Sequence, residues 1–111
     1  MLDRAGVTLL AGTDAPEPFV TPGFALHQEL ELLVESGLSP AKALQAATLN
    51  NAAILKQSGR LGRIETGFLA DLVILRADPT KDIRHTRQIE WVIRGGRALA
   101  PGDLIRLVPA E

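Results

Sequence analysis

An aspartate, Asp14, closes the stretch GVTLLAGTDAP, directly behind an apolar run and directly ahead of Ala15 and Pro16. Taken without its surroundings, Asp before Ala-Pro most often forms an Asx turn or caps a helix start, and that structural reading is the favoured one. The alternative is a carboxylate presented at the end of a strand. His27 follows in LHQELELLV, near the start of a helix and just after the loop that leaves Asp14. That position allows it to face the same pocket, touching substrate or supporting another site residue. The competing reading is a capping or surface histidine, since a lone His is a weak signal.

The remaining titratable residues read as structural. His85 lies in the polar connection KDIRHTR and is expected in solvent. Glu29 and Glu31 are read as acids near a helix start, complementing its dipole. Asp71, in FLADLVIL, is read as an acid that bonds backbone, and Asp78, before Pro79, as a turn former. Two histidines remote from each other, with Asp14, do not make a zinc site by spacing. With no cysteine, thiolate metal sites, disulfides and thiol nucleophiles are excluded.

The elements that position these residues fall into two textures. GVTLLA, 6–11, reads as a strand buried on both faces, as in parallel sheets. After the loop EPFVTPGF, the segment ALHQELELLVESG places Leu26, Leu30, Leu33 and Val34 on one helical face, with Gly37 ending the helix. Ser39 and Pro40 open a second helix as N-cap and first residue, and Asn50 is expected to cap a third, short one. From residue 59 onward the pattern becomes β. RLGRI reads as a short strand, LVIL as a longer one, IEWVIRGGRALA as a hairpin turning on Gly95 and Gly96, and LIRLV as a last strand. Trp91 is expected to pack in that β layer.

The length of 111 residues suits one domain, and 46% hydrophobic content excludes a disordered chain. Twelve basic against thirteen acidic residues leave no basic stripe, so neither nucleic acid nor an anionic membrane is an expected partner. The apolar stretch near the N-terminus is too short for a signal peptide or membrane span, and the expected location is the cytoplasm.

The succession GVTLLAGTDAP, LHQELELLVESGLSPAKALQAATLNNAAIL, LGRIETGFLADLVILRADPTKDI and WVIRGGR resembles the C-terminal part of metal-dependent amidohydrolases. Within that superfamily it is most similar to the branch of imidazolonepropionase-like enzymes and Xaa-Pro dipeptidases. The resemblance implies an α/β plus β fold: the last strand and helices of a TIM-type β/α barrel, residues 1–58, then the C-terminal strands of a small β-sandwich, residues 59–111. It also implies hydrolysis of a C–N bond by a metal-activated water. Active sites of such barrels lie at the C-terminal strand ends, which would put Asp14 in the mouth as metal ligand and catalytic carboxylate. Thr13, Phe19, Phe24 and His27 are then the candidates for shaping that mouth or touching substrate.

The resemblance implies a divalent metal, zinc by expectation, and a small amide, cyclic amide or dipeptide as substrate. The segments that carry the family's histidine ligands have no counterpart here, so no tight metal binding is expected of this chain alone. It is read first as the C-terminal portion of a larger amidohydrolase, or else as part of a split enzyme that associates with the missing barrel portion on another polypeptide. The alternative is a non-catalytic remnant that forms homo-oligomers through exposed barrel faces. One departure is Asn51, where the family often carries proline; it is expected to change little.

Overall fold

The computed structural model describes residues 2–15, 17–18 and 20–106. Three helices lead the chain: α1, Phe24–Glu35; α2, Pro40–Ala47; and α3, Leu49–Ile54. The first forms where the apolar periodicity predicts it, and the second where Ser39 and Pro40 open it. Gly37, at φ 100°, lets the chain leave α1 in a conformation that a side chain would disfavour. Ser39 accepts a hydrogen bond from the Lys42 N–H while Pro40 occupies the first turn, so α2 starts with one orphan donor satisfied and one removed. Thr48, not Asn50, precedes α3. Asn50 sits inside that helix and its side chain is used elsewhere.

The β layer is a three-stranded antiparallel sheet in the order β1 (Leu72–Leu75), β2 (Ile89–Arg94), β3 (Arg97–Leu99). Gly95 and Gly96, at φ 56° and 81°, supply the two left-handed residues of the tight β2–β3 turn. Asp71 holds that turn from outside. Its Oδ1 accepts the Gly95 N–H at 2.7 Å, while the Ala70 carbonyl accepts that of Gly96 at 3.0 Å. The structural reading of Asp71 therefore holds, with a partner across the sheet. Asp78 likewise forms the turn before Thr80, accepting both its N–H and its hydroxyl. Trp91 lies in β2 opposite Ile74, yet 40% of its surface remains exposed.

The core sits between α1, α2 and a 3-10 turn that precedes β2. Leu30 of α1, Ala43 of α2 and Ile83 of a 3-10 turn, Ile83–Arg87, form its centre, with Leu33, Val34, Leu44 and Ala47 against them. Ala43 and Ala46 are fully enclosed, and their small side chains let α2 approach its neighbours closely. Ile83 carries the β half into the helical core, so the core spans both sides of position 58.

Among the described residues, three expected strands do not form. Residues 7–14 form no strand, because a strand exists only through a ladder with another, and no described strand lies beside them. RLGRI, 60–64, is a turn, with the Leu61 N–H bonded to Gln57 and the Arg60 carbonyl to Leu69. In LIRLV, residues 104–106 belong to a helix, α4 (Pro101–Arg106), and the rest lies outside the described residues. Proline at the first position and Asp103 in the first turn favour that helix over a strand. The described residues thus form neither a closed barrel nor two facing sheets. Among them no helix is long and apolar enough to cross a membrane.

Candidate active-site segment

Residues 7–14 run past α2 and α3 with their backbone held by side chains and a helix carbonyl instead of a strand. The Ala11 N–H donates to the Ala46 carbonyl at 3.2 Å. Asn50 Nδ2 donates to the Leu9 carbonyl and Asn51 Nδ2 to the Ala11 carbonyl, each at 2.8 Å. Glu29 Oε1 accepts the Gly12 N–H at 2.6 Å. An ion pair at 2.7 Å between Lys42 and Asp3 ties down the residues just before this segment. A polar groove therefore takes the place of a neighbouring strand.

The groove ends at Thr13 and Asp14. Thr13 is half-buried, and its hydroxyl lies 3.4 Å from the Ala15 N–H, a long contact. Asp14 is exposed and has φ 53°, a left-handed conformation that Asp tolerates better than most residues. Its carbonyl accepts the Glu17 N–H at 3.2 Å. The Asx-turn reading is not realised through the side chain, since the residue two positions on is Pro16, which has no N–H, and α1 starts too far away for Asp14 to cap it. Phe19 lies outside the described residues.

The other two candidates stand together on a different side of α1. Thr86 donates its hydroxyl to the Ile83 carbonyl at 2.9 Å, so its oxygen is free to accept from His27 Nδ1, 3.0 Å away. That arrangement puts the proton on Nδ1 and leaves Nε2 as the acceptor. Burial holds the His27 pKa below its ordinary value, the Arg87 charge adds to this, and Glu31 opposes it. Phe24, 45% exposed, lies under the Arg87 guanidinium, 4.7 Å from ring centre to charge. Glu31 Oε2 accepts from Arg87 Nη2 at 2.9 Å, and its Oε1 lies 2.7 Å from Nε without hydrogen-bond alignment. Phe24, His27 and Glu31 thus face the 83–87 turn, whereas Glu29 faces Gly12. No described contact joins His27 or Phe24 to Asp14.

Sequence reasoning missed Glu29, Asn50 and Asn51 as groups that hold this segment. Neither glutamate serves the helix dipole, because α1 has no acid in its first turn. Two adjacent asparagines inside a helix were the available signal: Asn is a poor helix former because its side chain competes for backbone, here the backbone of another segment. His85 is half-buried rather than in solvent, with Nδ1 2.8 Å from the Asp78 carbonyl.

The chemistry available to the described residues alone is limited. No group of three or more His, Cys, Asp or Glu among them lies close enough to hold a metal ion. Asp14 is a single carboxylate, short of the three protein ligands a catalytic zinc takes. One open cleft, about 400 Å³, lies between α1, the start of α2 and residues 81–84, and another, about 200 Å³, lies beside residues 6–9. Asp14 lines neither of them.

The model of the amidohydrolase family matches residues 1–99. An imidazolonepropionase from Rubrobacter xylanophilus is 39% identical over 107 residues, covering 89% of this chain and 25% of that protein. Among solved structures, a molinate hydrolase superposes with a TM-score of 0.85 at 31% identity, covering 96% of this chain and 26% of the other. A Xaa-Pro dipeptidase with bound methionine in its active site gives 0.64 at 35% identity, over 67% of this chain and 18% of the other. The chain spans about a sixth to a quarter of the length of the curated relatives it matches. On this match and this likeness, the chain belongs to the amidohydrolase family.

Proposed function

We propose that this chain supplies the proton-carrying carboxylate of an amidohydrolase that hydrolyses a C–N bond in a small amide, cyclic amide or dipeptide, and that Asp14 is that carboxylate. The observation that carries this reading is the position of Asp14. It stands exposed, at positive φ, at the end of a segment whose backbone is held at Leu9, Ala11 and Gly12. A carboxylate so placed accepts a proton from attacking water and delivers it to the leaving nitrogen, which departs poorly as an anion. In this reading Thr13 and Phe19 belong to the walls of the mouth, while Phe24 and His27 hold α1 against the 83–87 turn.

Amidohydrolases are in general metal-dependent, and zinc is the metal this reading takes. The described residues do not fit one by themselves. In this reading the other ligands come from outside the described residues, and residues 1–58 and 59–111 act as the barrel and sandwich shares of a larger assembly. The test is metal content by plasma mass spectrometry after zinc loading and dialysis. The chain is measured alone and after co-expression with the complementary part of the Rubrobacter xylanophilus imidazolonepropionase. About one ion or more per assembly, reduced by Asp14→Asn, is expected, with none retained by the chain alone. Equal metal in the Asp14→Asn assembly would remove Asp14 from the metal site.

A second reading is favoured by one observation. Val7 and Leu10 of the held segment remain 47% and 42% exposed, and Leu26 and Leu32 of α1 are exposed as well. These faces suit self-association of a non-catalytic remnant. Sedimentation of the isolated chain separates the readings: a stable oligomer that excludes the complementary barrel portion supports the remnant.

A further inference from the structure

The Ala11 carbonyl and the Gly12 N–H are the two edges of one peptide plane. Asn51 Nδ2 donates to the first at 2.8 Å, and Glu29 Oε1 accepts from the second at 2.6 Å. The two side chains come from different helices, α3 and α1, and both are half-buried. A trans peptide is rigid, so gripping both edges fixes its rotation about the chain. Immediately beyond lies Gly12, a residue whose own rotations have the least steric restraint. A Cβ placed there would meet nothing within 4 Å, so packing does not restrain it either.

From these contacts we infer that Glu29, acting with Asn51 through the Ala11–Gly12 peptide, is the positioning residue that aims Asp14. The inference rests on the reading of Asp14 as the catalytic carboxylate. Only the rotations of Gly12, Thr13 and Asp14 itself separate the clamped plane from that carboxylate. Removing Glu29 frees one edge of the plane, and Gly12 then lets the segment end swing. A displacement on the order of 1 Å at a catalytic group is enough to cost about a hundredfold in rate. Glu29 does not need to touch substrate to have this effect. Its contribution is an acceptor oxygen, which glutamine also offers in the same place, though as a neutral and weaker partner.

Two measurements test the proposal separately from the reading beneath it. On the 111-residue chain, nuclear magnetic resonance follows the Gly12 amide in wild type, Glu29→Ala and Glu29→Gln. The expected result is a low-field Gly12 proton that moves to high field in Glu29→Ala and returns part of the way in Glu29→Gln. A Gly12 amide that does not respond to Glu29→Ala overturns the clamp.

In the reconstituted assembly, Glu29→Ala is expected to lower kcat by about tenfold to a hundredfold with KM within about twofold, and Glu29→Gln to recover most of it. Equal losses in both variants, or no loss in either, would overturn positioning by an acceptor oxygen. If the alanine variant fails to fold, the Gly12 amide shift in Glu29→Gln against wild type still decides, and no difference between the two overturns the clamp. If Asp14→Asn leaves hydrolysis unchanged, the functional reading has failed, while the Gly12 amide still reports on the clamp.

Discussion

His27 Nδ1 lies 3.0 Å from Thr86 Oγ1, a bond that fastens the first helix to the 3-10 turn leading into the sheet. Burial and the Arg87 charge lower the His27 pKa from 6.5, so the folded chain binds this proton more weakly than the unfolded one. Stability from this site is complete above the ordinary imidazole pKa and falls as pH drops through it toward the lowered folded value. Urea unfolding at pH 7.5 and 5.5 is expected to show a lower midpoint at pH 5.5. In His27→Gln that difference should shrink, and an unchanged difference would assign it to other groups.

A second acid-sensitive point lies at the other end of the same turn. Asp82 caps it by accepting the Arg84 N–H at 2.9 Å and pairs with the Arg84 side chain. Those hydrogen bonds pull its pKa from 3.8 down to about 2. The stabilisation is present above the unfolded value and is lost as pH falls from about 3.8 toward about 2, well below the His27 window. Circular dichroism melts should show this acid step in wild type and less of it in Asp82→Asn.

Three glycines with different surroundings should respond differently to alanine. At Gly62, φ is +90° and a Cβ would lie 2.8 Å from Ala52 Cβ and 3.0 Å from Leu49 Cα, so strain and overlap add. Gly62→Ala is expected to cost at least about 2 kcal/mol. Gly96, at φ +81° but in open space, should cost about 1–2 kcal/mol. Gly12 has neither problem, so Gly12→Ala should melt within about 0.5 kcal/mol of wild type. If Gly12→Ala nonetheless weakens hydrolysis in the assembly, the open space above it is where another group approaches.

Asn51→Ala removes the donor to the Ala11 carbonyl and leaves that acceptor on a residue only 6% exposed. The expected loss is about 1–2 kcal/mol in urea unfolding. A neutral result would mean that water replaces the amide without cost.

Local rules made much of this fold legible. Ser39 and Pro40 announced α2, the apolar stripe announced α1, and Gly95 with Gly96 announced the hairpin, because each depends on residues close in sequence. The held segment was not legible in the same way. Its apolar run read as a buried strand, but its backbone partners, Glu29, Asn50 and Asn51, are 17 to 41 positions away. No periodicity encodes that pairing. Asn51 shows the limit most clearly. As a helix-start residue it looked interchangeable with proline, which α3 would tolerate there, but proline could not hold Ala11. Asp14 was found from its motif, which lies within the family match over residues 1–99.

The most direct test of that role is hydrolysis of a panel of cyclic amides, N-acyl amino acids and Xaa-Pro dipeptides. It compares the zinc-loaded, size-verified assembly of this chain and its complementary barrel portion with the same assembly carrying Asp14→Asn. The account predicts turnover of at least one substrate class and a loss in kcat of about 10²- to 10⁴-fold in the variant. An active assembly whose Asp14→Asn form is folded, metal-loaded and equally fast would contradict it.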